Sequence, residues 1–159
     1  MMRQNFKAPW DLKLIIITTA LILILGGLLF TNPGIISTVI VLAIILGCAA
    51  FGVYGYSIKE EKLKILRMGW AKEIDLKDIT NVDMTPHAMI GSIRRFGIGG
   101  LFGYIGYYRN SILGSYKAYA TNSDNTVLIE TTNDGKVVVT PDDAAEFIEA
   151  LTKRLDSAV

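Results

Sequence analysis

The chain of 159 residues contains a single cysteine and a single histidine. Cys48 alone rules out an intramolecular disulfide, and with His87 as the only imidazole there is no Cys/His grouping at metal-ligand spacing. Cys48 lies inside an apolar run, where a thiol packs as a small hydrophobe. A nucleophile, a base and an orienting group are not found in any one constellation. His87 sits in the turn sequence Thr85-Pro86-His87, and the acidic pairs Glu60/Glu61 and Asp142/Asp143 suit a solvated turn and a helix start. The sequence therefore predicts no enzyme, no cofactor and no metal. A surplus of charge is missing too: after Tyr56 there are 13 basic and 14 acidic side chains, without the field that marks a nucleic-acid binder. No nucleic-acid partner is expected.

Charge is absent altogether between Lys13 and Lys59. Two apolar runs fill that interval, residues 14–30 and 35–56, of 17 and 22 residues, separated only by Thr31-Asn32-Pro33-Gly34. An α-helix needs roughly 20 residues to cross a hydrocarbon core about 30 Å thick. The pair predicts a two-helix transmembrane hairpin, and the short Pro-Gly link makes the helices antiparallel neighbours. A secretory signal is the competing reading of the first run. It fails because the run exceeds the 7 to 15 residues of a signal, lacks a small-x-small cleavage site and is followed at once by the second. Arg3, Lys7 and Lys13 precede the hairpin, and Lys59, Lys62, Lys64 and Arg67 follow it, so the expected location is the cell membrane with both termini cytoplasmic. Trp10, Tyr54 and Tyr56 stand where an interfacial aromatic belt belongs. A stripe of small residues, Ala43 and Gly47 with Cys48 and Gly52, suits packing of the hairpin against itself or against another copy.

The chain thus divides into an N-terminal segment 1–13, the hairpin 14–56 and a polar domain 57–159, long enough for one small core. The domain reads as short strands. Leu63 and Ile65 alternate with lysines, Met68-Gly69 makes a turn, and further extended segments cover 70–74, 80–84, 115–121, 126–131 and 136–140. Asn133-Asp134-Gly135 supplies the positive φ of a tight hairpin. The chain closes in a helix expected over 141–155, with Thr140 as cap and Pro141 at its first position. Ala144, Phe147, Ile148, Leu151 and Leu155 form its apolar stripe. The expected class is α+β: an antiparallel barrel or bent sandwich closed by one helix.

Several stretches together resemble the membrane-anchored bacterial pleckstrin-homology-like (PH-like) domains: Tyr56 to Ile65, Ile74 to Ile79, Arg95-Phe-Gly-Ile-Gly-Gly-Leu-Phe-Gly103, Leu113 to Thr121, and Thr140-Pro-Asp-Asp with Phe147, Ile148 and Leu151. The likeness spans nearly all of 56–155. It implies a seven-stranded barrel capped by the C-terminal helix, with two N-terminal spans. It implies little about activity, because this fold hosts lipid, peptide and protein ligands alike.

The glycine-rich stretch 96–108 is the most unusual part of the domain. A phosphate-cradling loop is excluded, since no Gly-Lys-Ser/Thr follows and the Gly-x-Gly-x-x-Gly spacing is broken at Phe102. Three readings remain. The glycines allow bulges and curvature while alternate aromatics fill a core; or the segment dips into the headgroup region, with arginines reaching lipid phosphates; or it is a protein-contact patch. The candidate contact residues are Arg94, Arg95, Phe96, Leu101, Phe102, Tyr104, Tyr107, Tyr108, Arg109 and Lys117. The expected function is a noncatalytic, membrane-anchored interaction module that binds a protein partner or its own copies. The alternatives are an anionic lipid-headgroup binder and a small accessory subunit of a membrane complex.

Overall fold

In the computed structural model, which describes residues 4–31 and 33–157, two apolar helices are followed by two β-sheets and a closing helix. Arg3 of the basic flank, Asn32 of the interhelical link and the C-terminal Ala158 and Val159 lie outside the described residues. Strand β1 (Asn5–Lys7) precedes helices α1 (Leu12–Thr31) and α2 (Ile35–Phe51). Strands β2 (Val53–Lys59), β3 (Lys62–Arg67) and β4 (Ala71–Asp75) follow, and a 3-10 turn at Leu76–Asp78 leads to β5 (Ile79–Met84). Then come β6 (Ile93–Gly99), β7 (Tyr104–Asn110), β8 (Gly114–Ala120), β9 (Val127–Thr131), β10 (Gly135–Val139) and α3 (Ala144–Ser157).

The strands form a four-stranded sheet in the order β1-β2-β3-β4 and a six-stranded sheet in the order β5-β9-β10-β8-β7-β6. No ladder joins the two, so the closed seven-stranded barrel implied by the resemblance is not formed; the 3-10 turn after β4 carries the chain from one sheet to the other. Every pairing is antiparallel except β8 with β10, which run parallel. The β2–β3 connection is the two-residue Glu60-Glu61 turn, with φ of 53° and 58°, the positive values that such a hairpin demands.

Alternation gives the six-stranded sheet two buried faces. Val127, Ile129, Val137 and Val139 face the four-stranded sheet and α3, where Tyr56, Leu63, Ile65, Phe147 and Leu151 complete the main core. Leu128 and Val138 face the other way, into a smaller cluster with Ala88, Tyr108 and Tyr116 under the β5–β6 connection. The expected apolar stripe of α3 docks: Phe147 and Leu151 are fully buried and Ala144 nearly so.

Three boundaries differ from expectation. The second apolar run does not continue as helix to Tyr56, because α2 ends at Phe51 and residues 53–56 open β2. Tyr56 is consequently not an interfacial belt residue; it is fully buried, donating to the Tyr119 carbonyl at 2.6 Å and accepting the Thr140 N–H at 3.0 Å. Burial raises its pKa to about 12. The segment before the hairpin is not separate from the domain, since Phe6 pairs with Tyr56 and packs edge-on against Phe147. Lastly, α3 starts at Ala144 rather than at Pro141, and its cap is Asp143, whose carboxylate accepts the Glu146 N–H at 2.9 Å. Thr140 is unavailable as a cap because its hydroxyl is buried and accepts the Thr121 N–H at 2.9 Å.

Helix α1 has 20 residues and a mean hydropathy of 2.6, with 11% of its most apolar window buried, so it is long and apolar enough to cross a membrane. Helix α2 is as apolar but has 17 residues, at the lower limit for a span. Both present large aliphatic side chains outward: Leu23, Ile24 and Leu46 are each 60% exposed or more.

Candidate functional site: the β6–β7 hairpin between the two helices

The two helices join the domain through direct hydrogen bonds on one leg and a single-residue link on the other, and the joint is encoded locally. Asp11 is buried and caps α1, accepting the Leu14 N–H at 2.6 Å through one carboxylate oxygen. Its other oxygen accepts the Ser123 N–H at 2.7 Å and the Ser123 hydroxyl at 2.9 Å. Thr121 donates to the Pro9 carbonyl at 2.9 Å, and Lys13 pairs with Asp124 at 3.1 Å. On the other leg, Gly52 is the only residue between α2 and β2. Neither helix has a flexible linker to the domain.

The glycine-rich segment forms the β6–β7 hairpin at the edge of the six-stranded sheet, and its tip at 100–103 is wedged against α1. Thr18, a turn and a half into that helix, donates to the Gly100 carbonyl at 2.8 Å and accepts the Phe102 N–H at 3.3 Å. Gly100 has φ +105°, and a Cβ there would lie 2.5 Å from Ile17 Cγ2. Phe102 stacks edge-on against Trp10 with ring centroids 6.0 Å apart. Lower in the hairpin, Gly97 and Gly106 are directly paired at φ +114° and +131°. A Cβ on either would lie 2.8 Å from the other's Cα and overlap the neighbouring carbonyl, so only glycine fits at both positions. The register shifts between Arg94 and Phe96, which makes Arg95 the bulge residue of an exposed edge strand.

The hairpin separates two clefts. One, of about 490 Å³, lies between its face and α2 and is lined by Ala43, Gly47, Phe51, Arg67, Phe96 and Tyr119 among others. The second, of about 570 Å³, lies on the opposite face toward the start of α1 and includes Lys13, Ile17, Arg94, Tyr104 and Tyr108. The small-residue stripe on α2 therefore faces the first cleft, and a Cβ at Gly47 would have nothing within 4 Å.

The predicted contact residues are only partly brought together. Arg94, Arg95, Phe96, Tyr107 and Arg109 are exposed along the hairpin, Phe96 at 75%. Phe102 and Tyr104 are half-buried, whereas Leu101 and Tyr108 are buried, Tyr108 in the wall of the second cleft. Tyr108 donates to the Ile98 carbonyl at 2.8 Å, and burial raises the phenols of Tyr104 and Tyr108 to about 12, so both stay protonated. Lys117 is committed elsewhere: its ammonium donates to Asp134 at 2.6 Å and is held above the ordinary lysine range by that bond. His87 is an exposed turn residue with Nδ1 3.4 Å from Asp124. Among the described residues no group of three or more His, Cys, Asp or Glu side chains converges as a metal site would. Arg67, which in the sequence counts only as a basic flank of the hairpin, also lines the first cleft; an arginine at the end of an amphipathic strand has no local mark of the environment it enters.

Comparison with known families bears on this arrangement through one match. A family model described as the bacterial PH domain matches residues 54–155, from the second residue of β2 to two residues before the end of α3. The chain belongs to the bacterial PH-domain family. Neither the curated proteins nor the solved structures hold a significant match to it. Bacterial PH domains are in general noncatalytic interaction modules. In this one, β1 and both apolar helices precede the matched region, yet β1 completes the four-stranded sheet of the domain.

Proposed function

We propose that this bacterial PH domain is a noncatalytic interaction module fixed to the cytoplasmic face of the cell membrane by α1 and α2, which cross it as a hairpin. The partner is a protein or a second copy of the chain, and it binds along β6. The double attachment through the Asp11–Ser123 hydrogen bonds and the single-residue Gly52 link carries the reading. A tether need not be rigid; a scaffold that presents one face at a fixed height above the bilayer must be. The face so presented contains the outer edge of β6, with Ile93, Arg94, Arg95 and Phe96 exposed, and an open strand edge is a template for pairing with another chain. Trp10, next to the start of α1, and Tyr54 and Trp70, beside the end of α2, are exposed near the domain ends of the helices, as residues at a headgroup level are.

A second reading is favoured by one observation, the presence of Arg94 in the cleft beside Lys13 and Ile17 at the foot of α1. There it is placed to meet an anionic headgroup. The test separating the two uses a photo-crosslinking residue at position 95 in intact cells, where the side chain lines neither cleft. A covalent protein adduct of discrete mass, lost when the probe is moved to position 153 on α3, supports the β6 interface. Adducts only to lipid support the second reading, and adducts to neither overturn both.

A further inference from the structure

We propose that the cleft between α2 and the β6–β7 hairpin is a binding site for one anionic phospholipid, its phosphate on Arg67 and one acyl chain lying along α2. The inference rests on the membrane placement argued above, and three independent features of the cleft carry it.

The first is a cation without a counter-charge. The Arg67 guanidinium lies against two rings, its central carbon 5.0 Å from the Tyr119 centroid and 5.8 Å from that of Phe51. Its Nε is shielded from solvent and has no hydrogen-bond partner, and the side chain makes no ion pair among the described residues. The terminal amino groups are not shielded in this way, and at the cleft wall their charged, planar fork is suited to the oxygens of a phosphate.

The second feature is the shape and polarity of the cleft. Its volume of about 490 Å³ is that of a small-molecule site, and its lining on α2 repeats at 43, 44, 47, 48 and 51, one face of the helix. From Ala43 to Phe51 that face runs about 12 Å along the axis. It is apolar throughout, and Ala43 and Gly47 leave it grooved rather than filled. A soluble anion would have no use for this length of apolar wall.

The third feature is direction. Arg67 pairs with Val53, the first residue of β2, and so lies at the domain end of the cleft, just past the end of α2. The apolar wall extends from there up the helix, away from the domain. Cation at the junction and hydrocarbon toward the helix interior is the order in which a leaflet lipid presents its phosphate and its chain.

Native mass spectrometry of the full chain in mild detergent, with phosphatidylglycerol or phosphatidylcholine added at equal concentration, tests the site. A one-to-one adduct is expected with phosphatidylglycerol, favoured over phosphatidylcholine by up to about tenfold, because both present the phosphate to Arg67 but only phosphatidylcholine brings a choline cation beside the guanidinium. Arg67→Gln should weaken both adducts and abolish the preference for phosphatidylglycerol. Gly47→Leu places a side chain into open space and improves helix propensity, so it should leave the fold unchanged by circular dichroism while reducing both adducts. The proposal is overturned if Arg67→Gln keeps the phosphatidylglycerol preference, if Gly47→Leu keeps both adducts undiminished, or if a dimer mass takes the place of lipid. Alkaline carbonate washing of membranes, run in parallel, separates the two claims. A chain that washes off contradicts the membrane placement, whereas a chain that is retained but shows no lipid preference overturns this site alone.

Discussion

Phe147 is the side chain through which the closing helix holds both ends of the domain together, and Phe147→Ala should be among the most damaging single substitutions in the chain. The ring is fully buried, edge-on to Phe6 of β1 at 5.1 Å and to Tyr56 of β2 at 6.0 Å. Truncating a buried phenylalanine to alanine costs about 3–5 kcal/mol through lost burial and the cavity left behind. The two ring contacts, at about 0.5–1.5 kcal/mol each, put this site toward the upper end of that range. For a domain of about 100 residues each kcal/mol moves the melting midpoint by roughly 4–8 °C, so a drop of roughly 12 °C or more is expected. The assay is thermal unfolding of the full chain in mild detergent, followed by near-ultraviolet circular dichroism. The full chain is required because β1 and Tyr56 are part of the core, and a fragment beginning at Ser57 lacks both. Exposed Glu149→Ala on the same helix serves as the control and should stay within about 0.5 kcal/mol of the parent. A Phe147→Ala chain melting within a few degrees of the parent would refute the docking of α3 between the sheets.

Gly106→Ala should destabilise the β6–β7 hairpin by at least about 2 kcal/mol, because the position combines φ +131° with backbone overlap; Gly69→Ala, at φ +89° in open space, should cost only about 1 kcal/mol, and equal midpoints for the two would contradict the close approach of the strands. Asp11→Ala removes the cap of α1 and leaves the Ser123 N–H without its acceptor, so amide exchange at Ser123 and Leu14 should accelerate at a cost of roughly 2–4 kcal/mol. Unchanged protection would show that the helix is not fastened there. Burial pulls the Asp134 carboxyl upward, but hydrogen bonds from Lys117 and Lys72 outweigh it and hold the group below the ordinary aspartate value of 3.8. A depressed carboxyl contributes stability that is present above the unfolded pKa and lost as pH falls through the folded one. Urea unfolding should therefore show stability declining from about pH 4 downward, and Asp134→Asn should flatten that decline.

Much of the domain was legible in the chain, and what was not has identifiable causes. Strands β3, β4, β5, β8, β9 and β10 announce themselves through alternation and through turns such as Asn133-Asp134-Gly135, where φ is +70° at the glycine. Strand β1 did not, because three residues carry no period and their partner lies some fifty positions away, at Gly55 to Ser57. Helix α2 ends five residues before the apolar run does because Val53-Tyr54-Gly55-Tyr56 continues the run, and a buried strand and a lipid-facing helix are equally apolar. The parallel contact of β8 with β10, which keeps the sheets from reading as a simple meander, has no local signature. At the candidate site, the glycine-rich hairpin stood out in composition, yet only tertiary structure distinguishes exposed Phe96 from buried Tyr108 twelve positions on. Arg67 reads in the sequence only as a basic flank of the hairpin. It follows Leu63 and Ile65 in the strand pattern, and its lack of a carboxylate partner among the described residues is a property of the fold and not of its neighbours in sequence.

The orientation of the hairpin is tested most directly by cysteine labelling in intact cells. In a Cys48→Ala background, which removes the only native thiol, single cysteines are introduced as Gly34→Cys in the interhelical link and Glu149→Cys on α3. A membrane-impermeant maleimide should label the Gly34→Cys chain in intact cells and the Glu149→Cys chain only after permeabilisation, as a two-span anchor with a cytoplasmic PH domain requires. Labelling of the Glu149→Cys chain in intact cells would contradict the placement, and with it the interface and the lipid site built on it.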